Sequence, residues 1–308
     1  MLLYETLYAI STYSPQEVLF KGGTMISRVY IAEPIRFSWD LDFEGKGMCS
    51  FGDVNNFINV LNKKLQANGG IVEMKIGPYE FSLGLFEIDE EKYIPEKFPN
   101  LIPIKRTLPA LTLGAELPSY LRKVHSNLRD SEVTADFIKI RKLFGGMLHV
   151  EDVRGEINVG GAPYREKAVS IKSLLEPEKQ PIKSVSNQLV PILEEVLADK
   201  IDSISKPLVP EKMVDLVKDI FDVSFLFRIG YDPKLVNACL RTFVREREDV
   251  NSLKNLYVKA KKNTEEMKFK GDSIFHQHHL FEPARNQVKW QDLCDLAISH
   301  LVKSTGHV

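Results

Sequence analysis

Apolar and polar positions change period several times along the chain, and each change predicts an element. Leu3, Leu7, Tyr8 and Ile10 give a short helix within Met1 to Tyr13, closed by the Ser-Thr-Tyr-Ser-Pro break that ends at Pro15. Val18-Leu19-Phe20 follows as a brief buried strand, Gly22-Gly23 ends it, and Thr24 to Ile31 opens a helix. From Ile35 to Glu44 the period is two, with Phe37, Trp39, Leu41 and Phe43 on one face and Ser38, Asp40, Asp42 and Glu44 on the other. That stretch predicts a strand with an apolar back and an acidic front. Asp53 to Ala67 returns to helical spacing before Gly69-Gly70.

Residues 71–115 are strand-like and rich in Pro and Gly, and their pattern sets no register. Near its end, Met147 to Val159 again alternates: Val153, Ile157 and Val159 face one way, while Asp152, Arg154, Glu156 and Asn158 face the other. A slip of one residue would bring Glu151 to the acidic face instead. Beyond Ser184 the spacing is helical through His300, broken at Lys206-Pro207, Pro210, Gly230 to Pro233, Gly271 and Pro283. Pro177 and Pro181 interrupt the pattern, which puts a domain boundary within Ile171 to Ser186. The expected organisation is α+β, with one domain over residues 1–180 and a helical one over residues 181–308.

Composition narrows the class. The 308 residues are 44% hydrophobic and 27% charged, as in a globular protein with a sizeable core. A net charge of -1 excludes a polycation that condenses on nucleic acid, so any polynucleotide must be gripped by a local patch. The Lys/Arg-rich stretch Arg241 to Lys270 also carries acidic residues and reads as a solvated helical surface. Cys49, Cys239 and Cys294 are odd in number without paired spacing, which argues against a disulfide framework or a zinc site and fits a reducing cytoplasm. No secretory leader and no bilayer-spanning run are expected. His276-Gln277-His278-His279 reads as a polar loop rather than a metal site, and Gly145-Gly146 as a turn.

Two elements carry chemistry. Lys21-Gly22-Gly23-Thr24 stands between a strand and a helix, where glycines allow close backbone approach and free N–H groups favour phosphate. In Arg36-Phe37-Ser38-Trp39-Asp40-Leu41-Asp42-Phe43, strand spacing sets Asp40 and Asp42 side by side, a repulsive arrangement that a cation relieves. A tight turn and a solvated acidic edge are the bland readings of each taken alone.

In that order, the two elements resemble the AbiEii/AbiGii toxins of the polymerase-β-like nucleotidyltransferase superfamily, whose pattern reads Lys-Gly-Gly-Thr and then Arg-x-Ser-x-Asp-Leu-Asp-Phe. The resemblance covers roughly Val18 to Phe43 and Gly155 to Phe225. It implies a mixed sheet with helices on one face, followed by a helical domain that completes the site. It matches Glu156 to a third carboxylate on a later strand. It matches Lys200, inside the apolar stripe of Leu193, Val196, Leu197 and Ile204, to a lysine that reaches towards the nucleotide. Snorkelling of that lysine to the surface is the alternative. It also matches Lys218-Asp219-Ile220-Phe221-Asp222 to the family's last motif. There Asp219 borders the stripe of Met213, Leu216, Val217, Ile220 and Val223, while Asp222 falls farther round on the polar side.

The resemblance implies that Asp40, Asp42 and Glu156 hold Mg²⁺ or Mn²⁺. NTP would be bound by Lys21, Gly22, Gly23, Thr24, Arg36, Ser38 and Asp222, while Lys200 and Asp219 join the catalytic set. It further implies the toxin half of a toxin–antitoxin pair, with the 3′ end of tRNA as acceptor and an antitoxin protein as partner. Transfer to an antibiotic or a protein hydroxyl, or a non-catalytic nucleotide- or RNA-binding module, are the rival readings.

Overall fold

A computed structural model describes residues 2–31, 40–67, 72–76, 79–107, 152–161, 164–171, 185–245, 253–278, 281, 284 and 286–306. Arg36, Ser38, Gly145-Gly146, Glu151 and His279, all weighed above, lie outside them. The chain divides into two compact units. One comprises Met1–Phe20, Trp39–Gly161 and Ser170–Gln188, the other Lys21–Ser38, Ala162–Val169 and Leu189–Val308.

The first unit holds a five-stranded sheet in the order β1 (Val18–Lys21), β2 (Leu41–Gly45), β7 (Asp152–Asn158), β6 (Leu101–Thr107), β5 (Phe86–Ile88). β2 and β7 run parallel, whereas β7 with β6 and β6 with β5 are antiparallel. A separate hairpin joins β3 (Val72–Ile76) to β4 (Tyr79–Leu83). Leu41, Phe43, Ile102, Ile104 and Ile157 are buried, and the rings of Phe20 and Phe43 stand 5.5 Å apart. Helix α1 (Leu2–Tyr13) packs on β7 and on α3 (Phe51–Ala67), which also covers β5.

Helix α3 begins two residues ahead of the predicted start, and a reciprocal cap explains it. The Ser50 hydroxyl and the Cys49 N–H both donate to Asp53 Oδ2 at 2.9 Å, while the Asp53 N–H donates back to Ser50 Oγ at 3.3 Å. These bonds, the Cys49 N–H foremost, hold the exposed Asp53 carboxyl below the usual range.

The second unit is helical apart from strand segments. Its helices are α2 (Gly22–Met25), continued by a π-helical turn over Ile26–Ile31, then α4 (Leu193–Ser205), α5 (Met213–Ile229), α6 (Pro233–Arg245), α7 (Leu253–Gln277) and α8 (Trp290–Thr305). Helix α5 is the hub, packed on α4, α7, α8 and the π turn. It is consequently buried nearly all round, with Val217, Ile220, Phe221, Val223 and Leu226 fully enclosed. Sequence periodicity predicts helix from Ser184 onward. The structure instead runs a strand, β9 (Val185–Pro191), up to α4 and pairs it with β8 (Glu166–Ile171). Among the described residues, no helix is long and apolar enough to cross a membrane.

Candidate active site

Sheet register decides what the first unit presents. Asp42 on β2 and Glu156 on β7 are direct Cα partners across the parallel pair, so their side chains leave the same face. Both are half-buried, and their neighbours Leu41, Phe43 and Ile157 enter the core on the other face. Gly155 permits this pairing. A Cβ there would lie 2.3 Å from the Leu41 carbonyl oxygen and 3.0 Å from Leu41 Cβ, so any side chain would push β7 away from β2.

Two expected neighbours behave differently. Asp40 is exposed and stands one residue ahead of β2. Glu44, predicted on the open acidic front, is only 6% exposed, because Asn158 directly opposite donates its amide to Glu44 Oε2 at 3.0 Å. Farther along β7, Arg154 faces Lys105 of β6, and both reach the buried Asp89 at 3.8 and 3.9 Å. Among the described residues, no three His, Cys, Asp or Glu side chains gather closely enough to hold an ion by themselves. Mg²⁺ needs only one or two protein carboxylates and completes its shell with water and phosphate oxygens. The Asp42–Glu156 pair fits that requirement.

In the second unit, Lys21 leads directly into α2, and Gly22 has φ +75°, a left-handed conformation that glycine alone adopts without strain. The helix therefore starts at Gly22, earlier than the pattern predicts. Gly22 and Gly23 remain half-exposed, whereas Thr24 is buried at 2%. The Lys21 ammonium lies 5.6 Å from the centre of the Tyr164 ring.

Lys200 points inward, as its place in the apolar stripe of α4 predicts, and its anions are on α5. Its ammonium meets Asp219 Oδ1 at 2.5 Å and Asp222 Oδ2 at 3.4 Å. Asp222, placed by the helical wheel on the polar side, is 1% exposed and more deeply buried than Asp219 at 8%. The helices around α5 leave it no solvent side.

Ser203, one turn after Lys200, donates its hydroxyl to Asp219 Oδ2 at 2.6 Å. Nothing in the sequence motifs singles out Ser203, although its spacing of three from Lys200 puts it on the same face of α4. Asp199 keeps solvent contact while protein crowds its carboxyl. Desolvation raises its pKa, and the charges of Lys200, Lys21 and Lys206 oppose the shift.

The AbiEii family model, described as a nucleotidyl transferase toxin of type IV toxin–antitoxin systems, matches residues 111–299, well over half of the chain. The chain belongs to the AbiEii nucleotidyltransferase toxins. Glu156, Lys200, Asp219 and Asp222 fall within the matched residues, whereas the glycine turn and Asp40 and Asp42 precede them. This AbiEii toxin is similar to the nucleotidyltransferase toxin MenT4 from Mycobacterium tuberculosis H37Rv, at 12% identity and a TM-score of 0.53, over 99% of this chain and 82% of that one. A candidate nucleotidyltransferase from H. pylori is also similar, at 12% identity and a TM-score of 0.45, over 99% of this chain and 94% of the other. JHP933 from Helicobacter pylori follows at 14% identity and a TM-score of 0.38, over 98% and 94%. The likeness to MenT4 is one of fold: a mixed sheet with helices, α+β as the sequence predicts. No curated protein sequence matches the chain.

Proposed function

We propose that this nucleotidyltransferase moves a nucleoside monophosphate from NTP to an RNA acceptor such as the 3′ end of tRNA, with Mg²⁺ as its cofactor, and that an antitoxin protein restrains it. The observation that supports this reading is the Asp42–Glu156 register pair: two carboxylates side by side on one sheet face are mutually repulsive and gain from a shared cation. Asp40, one residue ahead of β2, is the third acidic residue of the assignment. A divalent ion held there would supply charge neutralisation for the phosphates.

The chain's own groups do the rest. Asp42 and Glu156 would hold the ion, and Glu156 takes the proton of the attacking hydroxyl. Backbone N–H groups at Gly22 and Gly23, with Lys21 beside them, bind the β- and γ-phosphates. Arg36 and Ser38 complete the nucleotide contacts on the strength of the resemblance, and Thr24, being buried, supports the turn from inside. Lys200 already shares its charge with two carboxylates, so it acts by fixing Asp219 and Asp222 in place.

The test supplies the purified protein with each α-labelled NTP and Mg²⁺ and offers RNA, protein and aminoglycoside acceptors separately. Label on the 3′ end of tRNA is expected. Label on protein or antibiotic would replace the acceptor, and no pyrophosphate release with any NTP would leave a nucleotide-binding module instead.

A further inference from the structure

Among the described residues the sheet of the first unit ends on β5, and the outer edge of that strand opens into a groove of about 500 Å³ that the mechanism above does not use. Helix α3 forms the opposite wall with Asn55, Asn59 and Asn62, whose spacings of four and three put them on one helix face.

Strand register decides what the edge offers. The Asp89 N–H donates to the Pro103 carbonyl at 2.9 Å, and alternation along the antiparallel ladder therefore turns the backbone groups of Phe86 and Ile88 away from β6. Asn62 caps the first of these pairs. Its amide donates to the Phe86 carbonyl at 2.7 Å, and its own oxygen accepts the Phe86 N–H at 2.9 Å. Asn62 thus stands where the backbone of a neighbouring strand would. No described residue caps the Ile88 pair in that way, and Ile88, half-buried, lines the groove. An outward N–H and an outward carbonyl on one edge residue are the pair that an added strand bonds.

Charge selects the strand. Glu90 and Glu91 stand exposed among the lining residues and form no ion pair with a described residue. Lys105, also on the lining, is turned to its own sheet, with its ammonium 3.4 Å from Glu87 and 3.9 Å from the buried Asp89. A second copy of β5 would bring another Glu87 towards these glutamates, and like charges across a strand pair are destabilising. A segment that carries lysine or arginine has the complementary sign.

We infer that this groove docks an extended basic segment of a protein partner, which adds as a strand along β5. Its main chain bonds Ile88, its cationic side chains meet Glu90 and Glu91, and the Asn55 and Asn59 amides serve its remaining backbone groups. Every residue involved lies within the first unit and none belongs to the catalytic set, so the inference does not depend on the acceptor of the transferase.

Fluorescence anisotropy of the full chain with a labelled Lys-Val-Lys-Val-Lys-Val-Lys peptide tests it. Saturable binding is expected. The Glu-Val counterpart, and a Lys-Val peptide N-methylated at its central residues, should each bind at least tenfold more weakly, the second because it keeps the charge and loses the strand donors. Glu90→Lys combined with Glu91→Lys should weaken the basic peptide at least tenfold and leave nucleotidyl transfer at the wild-type rate. Ile88→Pro, which removes an outward N–H that the β5–β6 ladder does not use, should weaken it at least threefold. No saturable binding below about 1 mM, equal affinity for the N-methylated peptide, or a folded Glu90→Lys, Glu91→Lys protein with wild-type affinity would overturn the strand-docking assignment.

Discussion

Charge is handled in opposite ways in the two units. On the sheet, Asp42 and Glu156 are like charges placed side by side by strand register, half-open to solvent. In the helical unit, Lys200, Asp219 and Asp222 are opposite charges drawn from two helices and enclosed, with Ser203 taking up a further oxygen bond. The sheet pair stays half-open to solvent, whereas the helical group is closed in by neighbouring helices. The first is the pair that the proposed mechanism assigns to the metal ion. The second is held by bonds made within the fold itself.

Substitution can break this contrast directly. Asp42→Asn or Glu156→Gln should lower transfer by about 10²–10³-fold, the scale seen when a preorganised charge is removed from a reacting phosphate or oxyanion. Thermal stability should stay close to wild type, read as the melting midpoint. A folded variant that transfers label at the wild-type rate would remove the pair from the mechanism.

Lys200→Met should act the other way round, by stability first. It removes the ammonium that both carboxylates share, Asp222 among them at 1% exposure, and breaking a buried pair from one side costs about 3–5 kcal/mol. Denaturant unfolding measures this, and a midpoint unchanged from wild type would mean the charges are not held as the geometry shows.

A smaller effect is expected from Gly155→Ala. The added Cβ meets backbone 2.3 Å away, and overpacking of that kind costs about 1–3 kcal/mol. Because β7 must then shift against β2, Mg²⁺ affinity should weaken as well, read as a higher metal concentration for half-maximal transfer. Loss of stability with an unaltered metal requirement would separate the strand contact from the site.

The smallest effect is a pH slope. His300 stacks on Phe227 at 4.6 Å with its Nδ1 3.2 Å from the Tyr231 hydroxyl, and burial, helped by Lys303, holds its pKa below 6.5. Unfolding frees the ring to take a proton. Its contribution is therefore complete above about pH 6.5 and is lost as pH falls towards the lower folded-state value. His300→Phe should flatten the difference in urea midpoint between about pH 7.5 and about pH 5.5. An equal slope in both proteins would place its origin elsewhere.

Much of this was legible in the residues. The alternation that sets Asp42 opposite to Leu41 and Phe43, and Glu156 opposite to Ile157, is intrinsic to a period of two and survives folding unchanged. The inward lysine on α4 was equally visible, since Lys200 falls in a row of apolar residues at helical spacing. Misreadings arose where a partner far along the chain decides the outcome. Glu44 is buried because Asn158 arrives opposite it, and Asp222 is buried because three helices surround α5. A helical wheel assumes one solvent face and cannot register such enclosure. Strand β9 was read as helix because its partner β8 lies outside any local window.

Taken by itself, the sequence determined which residues share a face, where glycine lets the chain turn at Gly22, and which acidic and basic types were available for phosphate chemistry. Those are properties of neighbours within a few residues, set by backbone period and sterics. Tertiary structure alone decided that Asp42 is the strand partner of Glu156, that Lys200 is answered by Asp219 and Asp222, and that Ser203 bonds the second oxygen of Asp219. Such pairings depend on sheet order and helix packing, which bring together positions that no local pattern relates.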